Sequence, residues 1–401
     1  MTAGAAGAGR ASERGDPPLT VVMAPDSFKG SLTSVEVAGA LAAGWARARP
    51  GDAILLAPLA DGGEGTLVAV EAAGGWTARA AVVQDPLFRE IRSRWLCSAD
   101  GERAFVELAQ ASGLSLVDPS ERDALHASTV GTGQLLAAVI DAGVRRITLG
   151  IGGSATTDGG WGILHALGAR WVGEQPTAGG EDGPAWNPAD IDLAGLDPRL
   201  AEIDLRIACD VTNPLLGPAG AAATYGPQKG ADPETVARLE GLLTRYADAL
   251  EIATRRRERD TPGAGAAGGT AFGLLCLADR FRSLELRPGV DLVAEETDLD
   301  GKLRGASLVI TGEGRIDAQT AFGKTALGVA RRAASAGIPC IAVGGGVEPE
   351  GIEVLEALRA VAVPVVERPV SVEVAMAAGS GPIERCGERV ARLVGICRDI
   401  D

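Results

Sequence analysis

Histidine occurs only twice in 401 residues, at His126 and His165, and the six cysteines (Cys97, Cys209, Cys276, Cys340, Cys386, Cys397) include no Cys-x-x-Cys pair. A zinc site or a Ser-His-Asp triad would have to rest on two isolated imidazoles, so both chemistries are set aside. The scattered thiols read as reduced, small apolar side chains. Aromatics are scarce, with six Phe, six Trp and two Tyr, and lysine supplies only four of the 38 basic residues: Lys29, Lys229, Lys302 and Lys324. No apolar run approaches the ~20 residues needed to span a bilayer, and Met1 to Pro18 has no apolar core of a secretory signal, so a cytoplasmic location is expected. Positive charge is also in deficit. The formal net charge of −15 repels phosphate backbones and anionic headgroups at long range, which argues against nucleic-acid and membrane partners.

What the chain has in excess is glycine, 56 residues, about twice the usual ~7%. Compositional bias toward Ala, Gly and Arg accounts for much of the bulk. It does not account for the clustering of glycines in short runs beside charged residues.

Periodicity predicts a structureless tail over residues 1–18 and then strand, loop, helix, strand, helix. Leu19 to Ala24 is an apolar β-branched strand, Thr33-Ser34 caps a helix to about Arg49, Ala53 to Ala57 is a second strand, and a helix follows Asp61-Gly-Gly-Glu-Gly65. From Trp76 three strand-length runs (78–83, 91–97, 104–108), the last two joined by Asp100-Gly101, read as an antiparallel meander. A helix over 129–142, a strand over 146–149, a long Gly/Pro/Asp surface loop over 174–198, a strand over 206–209 and a long helix over 232–257 come next. The β-α rhythm returns from Ala306, with strands at 307–311, 338–343 and 361–366. This predicts an α/β chain: a Rossmann-like parallel-sheet domain from residues 19–76 plus 301–401, with a mixed α+β domain, 77–300, inserted between. A cleft between such domains is the usual place for a small ligand.

Five Gly-rich segments sit at or just after predicted strand ends: Pro25 to Gly30, Asp61 to Gly65, Gly152 to Gly160, Asp210 to Pro214, and Gly312 to Asp317 continuing to Gly323-Lys324. In open parallel sheets ligands bind at the carboxyl ends of strands, and Gly-lined loops let backbone N–H groups approach an anion. Lys29, Lys229 and Lys324 each adjoin a glycine there, where a compact ammonium can act on phosphate as a point charge; Lys302 reads as plain surface. Two better-known phosphate motifs fail. Gly323-Lys324-Thr325 resembles the end of a P-loop, but position 318 is Ala where Gly is needed, and Asp158-Gly-Gly160 would break the helix that a dinucleotide fingerprint at Gly150-x-Gly152 requires. Phosphoryl transfer fits the inventory, since it asks for anion-cradling backbone, cations for the phosphate, carboxylates for Mg²⁺ and a carboxylate to take the hydroxyl proton.

At these segments the sequence resembles the bacterial glycerate kinase family, of the glycerate 2-kinase type. The resemblance rests on Ala24 to Leu32, Pro58 to Thr66, Ile151 to Gly160, Cys209 to Leu215, Tyr225-Gly-Pro-Gln-Lys-Gly230, and Ile310 to Asp317 with Gln319-Thr320 and Gly323-Lys324. It implies two α/β domains, ATP with Mg²⁺, and D-glycerate as acceptor, and it favours the 2-hydroxyl; a monomer or homodimer is expected. On that footing Arg315 is expected to hold the substrate carboxylate, helped by Gly152, Gly153, Ser154 and Thr156. Lys29 and Lys324 are expected to neutralise the transferred phosphoryl group, with Gly312, Gly314 and Gly323 beside the nucleotide. Asp61, Glu64 or Glu313 would bind Mg²⁺, and Asp210, Asp158 or Asp26 would orient or deprotonate the acceptor hydroxyl. The alternatives are a kinase of another small hydroxy acid, or a non-catalytic sensor that binds a nucleotide or sugar acid.

Overall fold

The computed structural model describes residues 17–172, 190–317 and 325–398. The tail 1–16, most of the Gly/Pro/Asp loop, Gln319-Thr320, Gly323 and Lys324 lie outside the described residues. The strands are β1 (Thr20–Pro25), β2 (Ala53–Leu56), β3 (Trp76–Gln84), β4 (Glu90–Ser98), β5 (Arg103–Glu107), β6 (Arg146–Gly150), β7 (Arg170–Val172), β8 (Asp190–Asp192), β9 (Asp204–Ala208), β10 (Ser283–Arg287), β11 (Leu308–Ile316), β12 (Cys340–Val347) and β13 (Ala360–Pro364).

Two sheets organise the chain. The first is wholly parallel with order β2-β1-β11-β12-β13. Numbered along this sheet alone the order is 2-1-3-4-5, a doubly wound arrangement whose switch point falls between β1 and β11, where ligands bind in such folds. Residues of β1 alternate between two cores. Val21 and Met23 pack with Val37, Leu41 and Trp45 of the helix Ser34–Ala48 and with Ile383, Cys386 and Val390 of the helix Gly381–Arg398. Val22 and Ala24 pack with Leu67 and Val70, with Val293 of the helix Gly289–Glu296, and with Val329 and Ala333 of the helix Thr325–Ala336. Both faces are therefore covered, as a parallel sheet requires. The first of these helices starts as its sequence suggests: Thr33 and Glu36 form a reciprocal capping box, worth about 1 kcal/mol.

The second sheet runs β10-β9-β6-β5-β4-β3. The meander is present as β3, β4 and β5, paired antiparallel, and β5, β6, β9 and β10 continue parallel. Leu96 and Phe105 of this sheet join the apolar layer under β1, so the two sheets share a core.

Three expectations change. The segment Gly312 to Ile316 is strand, not loop, because β11 and β12 both run on and keep pairing, Glu313 opposite Gly344 and Arg315 opposite Gly346. The presumed loop before Pro198 carries β8, which pairs antiparallel with β7. Between the long helix and the returning β-α rhythm, where no strand is expected from the sequence, lies β10, an edge strand along β9.

Candidate functional site

The carboxyl ends of strands from both sheets meet across one cleft of about 760 Å³, within the usual size of a small-molecule site. Its walls include Asp26, Lys29 and Gly30 from the loop after β1, Asp61, Gly63, Glu64 and Gly65 after β2, Gly152, Gly153 and Ser154 after β6, Asp210 after β9, and Tyr225, Gln228 and Lys229. What lets the sheets approach is the absence of side chains. A Cβ on Gly150 would lie 2.6 Å from the Gly62 carbonyl oxygen, one on Gly152 2.5 Å from Gly63 Cα, and one on Gly289 2.0 Å from the Asp61 carbonyl oxygen. The Gly152 amide donates to the Gly62 carbonyl at 3.2 Å, so it joins the two loops. These glycines serve loop-to-loop contact at least as much as the approach of an anion.

Around that contact the charges are arranged in a chain. Lys29 Nζ donates to Asp61 Oδ2 at 3.0 Å, and Asp61 Oδ1 accepts from the Gly63 amide at 3.1 Å. Asp61 raises the Lys29 ammonium above the usual lysine range, against a smaller effect of burial. Asp210 accepts from the Gly289 amide at 2.9 Å. It opens onto the cleft but is hemmed by protein elsewhere, and that desolvation, with Asp61 and Asp291 nearby, pushes its carboxyl up to about 6. Asp26 accepts from the Ser27 amide and from Thr325 Oγ1, both at 2.6 Å; burial raises it as well. Glu64 is exposed to the cleft, and its carboxylate accepts no hydrogen bond among the described residues.

The expected site residues divide cleanly. Asp26, Lys29, Asp61, Glu64, Gly152, Gly153, Ser154 and Asp210 come together around the cleft. Asp158, Thr156, Arg315, Gly312, Gly314 and Glu313 do not line it. Asp158 is wholly buried and accepts from Thr129 N and Oγ1, both at 2.8 Å, and from the Gly160 and Gly162 amides, both at 3.1 Å. It ties together the starts of the helices Val130–Asp141 and Trp161–Ala166. Arg315 points outward from β11, two-thirds exposed, and pairs with Glu348 at 3.0 Å and with Asp317 at 3.5 Å. Gly312 sits in the strand against Val343, Gly314 against the backbone of Phe28 and Lys29, and Glu313 is buried.

One position escaped the sequence reading. Glu107, at the end of β5, accepts from the Gly65 and Leu67 amides at 3.0 and 2.9 Å and so caps the helix Thr66–Ala72 from the other sheet. Burial pushes it up to about 7. Its one sequence signal is a carboxylate at the end of an apolar run. Lys229, expected as a loop ammonium that acts on phosphate, is buried in the cleft wall. Lys302 is not plain surface, since it donates to the Leu56 and Ala73 carbonyls at 3.0 Å each.

Among the described residues no cluster of three or more His, Cys, Asp or Glu could hold a metal by itself. Mg²⁺ does not need one, because it keeps several waters and takes one or two carboxylates together with phosphate oxygens. The open Glu64 carboxylate beside Asp61 fits that kind of site. No helix among the described residues is long and apolar enough to cross a membrane.

Comparison with known proteins agrees with this geometry. Residues 21–395 match the model of the glycerate kinase family. The chain is 42% identical to the glycerate kinase of Halalkalibacterium halodurans over 93% of its length and 97% of that protein's. It is 42% identical to the glycerate 2-kinase of Escherichia coli over 82% of its length and 85% of the relative's. The crystal structure of a Salmonella typhimurium protein assigned as glycerate kinase 2 superimposes with a TM-score of 0.81 at 39% identity, covering 95% of this chain and all of that one. On the family match and these identities, the chain belongs to the glycerate kinase family.

Proposed function

We propose that this protein transfers the γ-phosphoryl group of ATP to the 2-hydroxyl of D-glycerate, giving 2-phosphoglycerate and ADP. The observation that carries the reading is the convergence of Lys29, Asp61, Glu64 and Asp210 from both sheets on one Gly-walled cleft, within a chain whose relatives are named glycerate kinase and glycerate 2-kinase. Phosphoryl transfer needs little covalent chemistry from the protein and much positioning and charge.

Asp210 is the proposed base. It opens onto the cleft, and a carboxyl near 6 is ionised at neutral pH yet basic enough to take a hydroxyl proton. Lys29, held by Asp61, faces the transferred phosphoryl group, and Lys324 with Gly323 is proposed for the nucleotide from its sequence position. Asp61 and Glu64 would hold Mg²⁺, which would supply charge neutralisation on the phosphate oxygens. Asp158 is proposed as a positioning residue that fixes the loop carrying Gly152 to Ser154. The segments 19–76 plus 301–401 and 77–300 are proposed as two lobes whose approach excludes water from the reaction, in the cytoplasm.

A coupled ADP-release assay with D-glycerate, ATP and Mg²⁺ tests the activity, and phosphorus NMR of the product tests the position. No ADP above background with glycerate or tartronate would favour a sensor; 3-phosphoglycerate would overturn the 2-hydroxyl assignment.

A further inference from the structure

Lys229 closes the short turn Pro227–Lys229 and is about 2% exposed. Its Nζ donates to Ser154 Oγ at 2.9 Å and to the Thr156 carbonyl. Both acceptors are neutral, and no carboxylate lies within ion-pair distance of it among the described residues. A buried ammonium without a counterion is rare, because desolvating the charge costs several kcal/mol and only a close anion repays it. The nearest acid to act on it is Asp158, whose oxygens are already taken by Thr129, Gly160 and Gly162.

The side in need of an anion is the cleft. Lys229 and Ser154 both line its wall, beside Gly153. The other charged groups around Lys229 are accounted for. Arg122 and Asp123 lie behind it, with Arg122 on the Gln228 carbonyl and Asp123 on His126, while Lys29, Asp61, Glu64 and Asp210 stand on the other cleft walls. Arg315 cannot serve the same purpose, being outside the cleft and already paired with Glu348.

We propose that Lys229 is the counterion of the substrate carboxylate, with the Ser154 hydroxyl as the neutral donor beside it. This deepens the reading of the cleft as a glycerate site and rests on it. Burial without a partner drives the free lysine down to about 7, so the arriving carboxylate restores the charge. Above pH 7 the substrate binds together with a proton. Below it, the ammonium is already formed and no proton moves.

Titration calorimetry of D-glycerate into the intact protein, in two buffers of different ionisation enthalpy, reads this directly. The expected result is uptake of nearly one proton per glycerate at pH 8 and almost none at pH 6, with Kd weakening up to about tenfold per pH unit above 7. Lys229→Met, which removes a buried charge while keeping an unbranched chain, is expected to fold, and a melting curve checks it. It should abolish the proton uptake and lower kcat/KM for glycerate by about 10²–10³-fold, while kcat/KM for the neutral glyceramide changes less than threefold. Equal losses for the two substrates would make Lys229 purely structural and overturn the proposal. So would proton-free binding by the wild type with unchanged glycerate affinity in the variant. If the wild type turns over another hydroxy acid and not glycerate, the function reading fails alone; the same proton count with that acid still decides Lys229.

Discussion

Lys29 Nζ meets Asp61 Oδ2 at 3.0 Å, joining the loop after β1 to the loop after β2 in full view of the cleft. The lysine side chain is 80% exposed and the aspartate 44%, so solvent screens the pair and it adds little to stability. Its value is positional: the carboxylate holds a flexible ammonium in one place. Lys29→Ala is expected to shift unfolding free energy by less than about 0.5 kcal/mol and to lower kcat by about 10²-fold or more. Urea melts and saturation kinetics with ATP check both; wild-type turnover would remove Lys29 from the phosphate site.

Asp210, the proposed base, is expected to set the acid limb of the rate. Its carboxyl, raised to about 6 chiefly by desolvation, must be ionised to accept a proton, so kcat/KM should fall tenfold per unit below pH 6 and level above it. An alkaline fall above about 7 is expected from the proposed role of Lys229. Asp210→Asn should lower kcat by about 10²–10⁴-fold with glycerate affinity nearly kept. An unchanged acid limb would assign the base elsewhere.

Asp158 should behave oppositely. Four donors from two segments converge on it in the interior, so Asp158→Ala is expected to cost about 3–5 kcal/mol. Asp158→Asn should lose part of this while the folded fraction keeps most of its kcat. A large loss of kcat with an unshifted melting curve would restore it as a base candidate.

Glu107→Ala removes the acceptor of the Gly65 and Leu67 amides and should destabilise by about 1–3 kcal/mol. The wild-type carboxyl also has a pH signature. Its folded value of about 7 stands above the ordinary 4.5, so the folded state binds the proton more tightly and stability falls as pH rises between those values. The variant should lack that part of the slope in urea melts run from pH 5 to 8.

Gly289→Ala would place a Cβ 2.0 Å from the Asp61 carbonyl oxygen and 2.8 Å from Asp210 Oδ2. Backbone must move, and kcat should drop more than about tenfold, since small misplacements are amplified at a reacting centre. Gly39, in the helix Ser34–Ala48 with nothing within 4 Å of a Cβ, is the control: Gly39→Ala should leave kcat alone and stabilise by up to about 1 kcal/mol.

The strand-end loops were legible in the sequence because short apolar β-branched runs stop abruptly at glycine and charge. The alternation along β1 sorts its side chains between two cores, as its sequence permits. β10 was not legible: Ser283-Leu-Glu-Leu-Arg287 is short, half polar and only partly buried at a sheet edge. Arg315 misled because Gly312 and Gly314 just before it suggest a loop. The pairing of β11 with β12 makes it strand and turns that side chain to solvent. The burial of Lys229 and the reach of Glu107 are tertiary facts, set by contacts with Ser154 and Gly65 that no local pattern encodes.

The strand order of the first sheet bears on synthesis as well as on binding. β1 is flanked by β2 and β11, and the second neighbour begins only at Leu308. At roughly 5–20 residues per second on the ribosome, β1 waits on the order of 15 to 60 seconds with one edge unpaired and an apolar face uncovered. The bond from Thr325 to Asp26, spanning 299 positions, is among the contacts that end the wait. A nascent chain halted near residue 300 would therefore carry an open, aggregation-prone edge on β1, so the final hundred residues act as the seal of the fold.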